Sequence, residues 1–209
     1  MFYFFLLAEA ITALGESSVL FATAIAACGW FWTSHHRQLA LLWLFSMGLC
    51  AASMVVFKLS FMTCGHYVFA GTVHTPSGHS AMSAFFYGAA ALTIRKLSPH
   101  AARHPVPPQV GATLLSLAIG VSRVIVHAHT PQEVAVGLIV GFAWLAIFAR
   151  LLRNVEPSVA EPPKQVLWLL GLLYAGLLSL TMAGQHMSME GVLFRIAFAL
   201  RSHWGVCTG

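Results

Sequence analysis

The chain has 209 residues, 58% hydrophobic and 8% charged, with a formal net charge of +5 and a mean hydropathy of +0.79. About a quarter of the residues of a water-soluble domain are charged, so this composition excludes one and points to an integral membrane protein. The positive balance contains no basic run interleaved with aromatics, which excludes a nucleic-acid-binding module.

In chain order, Met1–Leu14 is apolar but carries Glu9 and lacks both a basic n-region and a small-residue cleavage site. It reads as an interfacial helix leading into the first span, not as a removed signal peptide. Six uncharged apolar stretches follow: Ser17–Trp32, Leu39–Phe57, Ser80–Ile94, Pro105–Ser122, Val134–Ala149 and Gln165–Met182. Each is near the length a helix needs to cross a hydrocarbon core of roughly 30 Å. None shows the ten-residue alternation of a membrane barrel. The expectation is an all-α, polytopic bundle of six transmembrane helices with short interfacial helices, forming one domain over residues 1–209. Pro105-Val-Pro-Pro108 and Pro157–Pro163 read as loops between spans. Gly137-x-x-x-Gly141, and Ser80-x-x-Ser83-Ala84 with Gly88, are small-residue faces that let helix backbones approach closely. The apolar run in Gly191–Gly209 is too short to span.

With six spans, Arg37, Arg95, Lys96, Arg103, Arg150, Arg153 and Lys164 fall on one side, against Lys58, Arg123, Arg195 and Arg201 on the other. The first side is then cytoplasmic and the second, with both termini, faces outward.

The outward side carries the chemistry. Pro76-Ser77-Gly78-His79 stands at the start of the third span, and Ser122-Arg123, five residues and His129 lie between the fourth and fifth, with Glu133 four residues on. Together with Lys58, these residues resemble the type-2 phosphatidic acid phosphatase superfamily, over roughly Lys58 to Glu133. The resemblance implies a metal-independent lipid phosphatase without a cofactor, in which His129 is the nucleophile that forms a phosphohistidine and His79 the general acid. Ser77, Gly78, Ser122, Arg123 and Lys58 take the places of its phosphate ligands. The residue types agree with that chemistry: a serine cap and glycine at a helix N-terminus form an anion site, and arginine grips phosphate oxygens bidentately.

Glu133 stands where the family usually has aspartate, one helical turn beyond His129 and on the same helix face, where a carboxylate orients an imidazole. Thr130-Pro131-Gln132-Glu133 also reads as a capping box, and one carboxylate is not expected to do both jobs. The family's first motif is degenerate, because Gly65-His66 occupy the places of its arginine and proline. His66, His74 or a tail arginine are the candidates to replace that ligand. Cys28 and Cys50 lie within spans, whereas Cys64 and Cys207 both fall outward, where a disulfide between them would tie the tail over the loop from Lys58 to Pro76. His127 reads as solvated or supporting, and His35, His36, His100, His104 and His186 as surface loop residues.

The expected activity is hydrolysis of a phosphomonoester or pyrophosphate of a membrane lipid, with undecaprenyl diphosphate, phosphatidylglycerol phosphate, phosphatidic acid and lipid A as open substrates. The partners are then a membrane phospholipid or polyprenyl phosphate and the bilayer itself, in a bacterial inner membrane with the site facing the periplasm. Three other readings compete. A lipid-to-lipid phosphotransferase keeps the phosphohistidine, a silent lipid-binding or transport member explains the degenerate motif, and a metal protein would use the outward histidines.

Overall fold

The computed structural model describes residues 2–68, 75–156, 164–182 and 189–204. Among them the chain is all-helical: α1 (Phe2–Ala13), α2 (Ser17–Thr33), α3 (Arg37–Val68), α4 (Gly78–Leu97), α5 (Pro99–Arg103), α6 (Pro108–Ile125), α7 (Pro131–Leu152), α8 (Lys164–Met182) and α9 (Met189–Trp204). Five of the six apolar stretches read from the sequence fall within one of these helices, and Pro105–Ser122 overlaps α6 but begins three residues before it. Among the described residues, four helical segments are long and apolar enough to cross a membrane: Phe5–Thr33, Arg37–Cys64, Pro108–Ile125 and Pro131–Leu152.

The apolar stretches outside this set lie on α4 and α8. Serines line the inward faces of α4, which also carries His79, Arg95 and Lys96. Its neighbours bury eleven of its residues, among them Ser80, Ser83, Ala84, Phe85 and Gly88, so its surface meets protein more than lipid and need not be apolar throughout. In α8 the side chains of residues 169–179 are described, and they form the apolar stretch Leu169–Ser179. The first of the four segments joins α1 to α2 through a break at Leu14–Glu16. Helix α1 packs on α6 and α8, so it is docked into the bundle rather than only leading up to it.

The bundle is centred on α4, which lies against α6 and α7. Close approach is set by small residues. A Cβ on Gly137 would collide with the Ser77 carbonyl, one on Gly141 with the Ala81 carbonyl, and one on Gly88 with the Leu145 side chain. Below this seam an aromatic cluster fills the space between α3, α4 and α7. Trp43 meets Phe85, Phe86 and Phe148 edge-on at centroid separations of 6.2, 5.8 and 5.7 Å, in the geometry that aromatic quadrupoles favour. The buried indole N–H of Trp43 donates to Thr93 Oγ1 at 3.0 Å, so no donor is stranded there.

Helices α2 and α6 end alike. His35 (φ 64°) and His127 (φ 56°) adopt the left-handed conformation that usually falls to glycine. His127 N donates to Val124 O and Ala128 N to Arg123 O, the paired bonds of a Schellman closure, and His36 N reaches back to Phe31 O. His127 therefore shapes a turn with its backbone while its side chain is exposed. His36 departs from the surface expectation: it is buried, its ring packed near those of Trp30 and Phe31, because the closure folds it back onto α2.

Gly137→Ala and Gly141→Ala are expected to destabilise the bundle by about 1–3 kcal/mol, because the backbone contacts on α4 cannot retreat. Gly111→Ala, on α6 with nothing within 4 Å of its added methyl, should be neutral or stabilising by up to about 1 kcal/mol. Thermal unfolding of the detergent-solubilised variants checks both.

Candidate active site

The start of α7 is a capping box. Thr130 Oγ1 accepts from Glu133 N at 3.3 Å, and Glu133 Oε2 accepts from Thr130 N at 3.0 Å, with Pro131 at the first helical position. The same carboxylate also meets His129: Nδ1 lies 3.0 Å from Glu133 Oε2, with the two side chains only 5% and 6% exposed. One carboxylate thus does both jobs, against the expectation from sequence. The chain turns so tightly between α6 and α7 that the Thr130 amide and the His129 ring converge on one oxygen. The other oxygen, Oε1, accepts from Thr75 N at 3.0 Å, and Glu133 O accepts from Ser77 N at 3.0 Å. Glu133 therefore joins the loop before α4 to the turn before α7.

Ser77 caps α4. Its Oγ accepts from Ser80 N at 3.4 Å and from Ser80 Oγ at 3.0 Å, and the residue is fully buried. Helix geometry leaves the first amides of α4, at Gly78 and His79, without an intrahelical acceptor. Lys58 reaches the same place: it is 7% exposed, and its Nζ lies 3.9 Å from where a Cβ on Gly78 would stand. From the other side, the Arg123 carbonyl accepts from Ala128 N at 3.0 Å and His129 N at 3.2 Å. That bond folds the five-residue spacer back and brings arginine and histidine together. The N-termini of α4 and α7, one lysine and one arginine converge, which is an arrangement suited to a multiply charged anion.

Ser122 is placed differently. It is 2% exposed, its Oγ donates to Ile119 O at 2.7 Å, and it lies 2.7 Å from Thr12 Oγ1 on α1. Its hydroxyl is engaged in holding α1 against α6. His66 lies near the end of α3, with its side chain outside the described residues; His74 and Cys207 lie outside them altogether. Cys64 is disulfide-bonded, while Cys28 and Cys50 are free thiols.

One residue of this end escapes the sequence motifs. Glu16, in the break between α1 and α2, places Oε2 3.1 Å from His79 Nε2. The available signal was a carboxylate, one of two with Glu9, inside a 29-residue apolar segment, where an ionisable group is costly and functional by default.

Burial holds the His129 pKa below the ordinary imidazole value; the Glu133 hydrogen bond opposes this, and the Arg123 and Lys58 charges reinforce it. At neutral pH the ring is therefore predominantly neutral. A carboxylate on Nδ1 fixes the proton there and leaves the Nε2 lone pair available.

The model of the PAP2 superfamily, the type-2 phosphatidic acid phosphatases, matches residues 58–157. An uncharacterized 22.5 kDa protein in the cps region of Klebsiella pneumoniae is 32% identical over 151 residues, 70% of this chain and 69% of that protein. The chain belongs to the PAP2 superfamily. Its members are phosphatases, so at a general level this is a phosphoric ester hydrolase, built as an integral membrane protein. No solved structure matches the chain. The matched segment takes in Lys58, the Ser77–His79 cap and everything from Ser122 to Glu133, but Glu16 precedes it.

Glutamine cannot replace Glu133. The carboxylate faces three N–H donors, at Thr75, Thr130 and His129, and an amide would oppose at least one of them with its own N–H. Glu133→Gln should therefore lose about 1–3 kcal/mol of stability and lower kcat by about 10²-fold or more, read by thermal unfolding and by phosphate release.

Proposed function

We propose that the protein hydrolyses the phosphomonoester or pyrophosphate of a membrane lipid, with His129 as nucleophile and His79 as general acid. The observation that carries this reading is the His129–Glu133 pair. A buried neutral imidazole, held through Nδ1 by a carboxylate, turns Nε2 toward the end of the bundle where Lys58, Arg123 and the start of α4 concentrate positive potential.

In the first step the Nε2 lone pair attacks phosphorus, the bond to the leaving oxygen breaks, and that oxygen takes a proton from His79. In the second, water attacks phosphorus and gives its proton to His79, while the phosphorus–nitrogen bond breaks and returns its electron pair to His129. Lys58, Arg123 and the amides of Gly78 and His79 balance charge on the equatorial oxygens. Lipid is the expected substrate because the site lies at one end of an apolar bundle. Undecaprenyl diphosphate, phosphatidylglycerol phosphate, phosphatidic acid and lipid A are the substrates to assay.

The same reading takes α4 and α8 as the two further spans, making six, and has the site face the periplasm. Arg37 at the start of α3, Arg95 and Lys96 at the end of α4, and Arg150 at the end of α7 gather at the opposite end of the bundle, as the positive-inside rule requires. We pair Cys64 with Cys207: a disulfide at this end is at home in an oxidising compartment, and α9 already lies along α3, where such a bond would anchor the tail.

His129→Ala is expected to lower the rate of phosphate release by several orders of magnitude, each factor of ten being about 1.36 kcal/mol of lost barrier reduction. Acid-labile ³²P should be trapped in the wild-type protein and be absent from the variant. Normal turnover by His129→Ala would falsify the proposal. Because His129 must be neutral to attack and its pKa is lowered, the acidic limb of kcat/KM should fall below the ordinary imidazole value of about 6.5. A pH profile between 4 and 9 reads that limb directly.

A further inference from the structure

We infer that Glu16 is a positioning residue for His79, so that each of the two histidines of the site is held by a carboxylate of its own. The inference rests on the reading of His79 as the proton donor. Glu16 occupies the N-cap position of α2, yet its side chain makes no capping hydrogen bond there. Its Oε2 instead lies 3.1 Å from His79 Nε2, both side chains being less than a fifth exposed. A carboxylate at this place in an apolar segment is costly; from α2 the Ser18 hydroxyl donates to its other oxygen, Oε1, at 3.4 Å, while Oε2 faces the ring.

The corner that carries Glu16 is fastened from three directions. The Leu14 carbonyl accepts from Tyr87 Oη at 2.7 Å and Tyr174 Oη at 3.2 Å, and the two phenols lie 2.6 Å apart. Thr12 Oγ1 lies 2.7 Å from Ser122 Oγ. Gly15 packs so closely that an added Cβ would stand 2.6 Å from Ile119 Cγ2 and 3.4 Å from His79 Cβ. Residues of α4, α6 and α8 thus hold the residues on the N-terminal side of Glu16, and Tyr87 belongs to the same helix as His79. The break between α1 and α2 is set in register with the ring that Glu16 meets.

The chemistry follows from which nitrogen is engaged. An ionised carboxylate only accepts, so it keeps a proton on His79 Nε2 and leaves Nδ1 as the atom that exchanges. With Nδ1 protonated the ring is the acid for the leaving oxygen; with Nδ1 bare it is the base for the hydrolytic water. One orientation then serves both steps without rotation of the ring.

The test uses full-length protein in detergent, with phenyl phosphate and p-nitrophenyl phosphate as substrates; nitrophenolate leaves with little need of a proton. His79→Ala and Glu16→Ala should each lose at least about tenfold more kcat/KM on phenyl phosphate than on p-nitrophenyl phosphate. The double variant should fall no further than His79→Ala alone. Glu16→Gln, which keeps an acceptor for Nε2–H, should recover part of the loss. If Glu16→Ala does not fold, Glu16→Asp, one methylene short of the ring, takes its place with the same expected selectivity. Equal losses on the two esters for the Glu16 variants, or losses that multiply with that of His79→Ala, overturn the positioning role while the acid assignment stands. Absence of leaving-group selectivity in His79→Ala itself overturns the acid assignment, and the role of Glu16 with it.

Discussion

The carboxylate of Glu133 is the constraint on which this end of the molecule depends. It is a buried charge, and a buried charge persists only where hydrogen bonds replace the water it has lost. Here the Thr75 and Thr130 amides and the His129 ring supply them, at 3.0 Å each, with the positive end of α7 directly beneath. Because these donors come from the loop before α4 and the turn before α7, satisfying one charge brings together two chain segments about fifty residues apart. The main chain of Glu133 repeats the link, its carbonyl accepting from Ser77.

What surrounds that anchor is arranged to let helices come close. Gly137 and Gly141 on α7 remove the side chains that would hold α4 away, and the serines of α4 bury hydroxyls that find acceptors within their own helix. In lipid, where no hydrophobic force drives helices together, such close packing is the main source of cohesion. It also holds His79, at the start of α4, at a set distance from His129 at the start of α7. Any shift along this seam moves one histidine relative to the other.

The two histidines share a pattern with opposite polarity. His129 presents Nδ1 to its carboxylate, leaving Nε2 outward, whereas His79 presents Nε2 to Glu16. The carboxylates come from different parts of the chain. One lies four residues along the same turn; the other is delivered by a corner between α1 and α2 that tyrosines and a glycine hold in place.

Much of this was legible in the residues themselves. Composition alone establishes a helical membrane protein, since a chain so poor in charge cannot present a soluble surface and helices satisfy their own backbone. The capping box, the small-residue faces and the grouping of Ser77-Gly78-His79 with Ser122-Arg123 and His129 are local spacings, and local spacings survive into the fold because helix geometry is fixed per residue. Three things were decided only by tertiary structure. Glu133 serves cap and histidine at once because the α6–α7 turn closes on the Arg123 carbonyl, which no spacing rule reveals. Ser122 is drawn into the contact with Thr12, more than a hundred residues away. Glu16 meets His79 because a break in an apolar helix is packed against α4 and α6. Sequence encodes periodicity along one helix; which faces of different helices meet depends on the summed packing of all of them, and that sum exists only in the folded bundle.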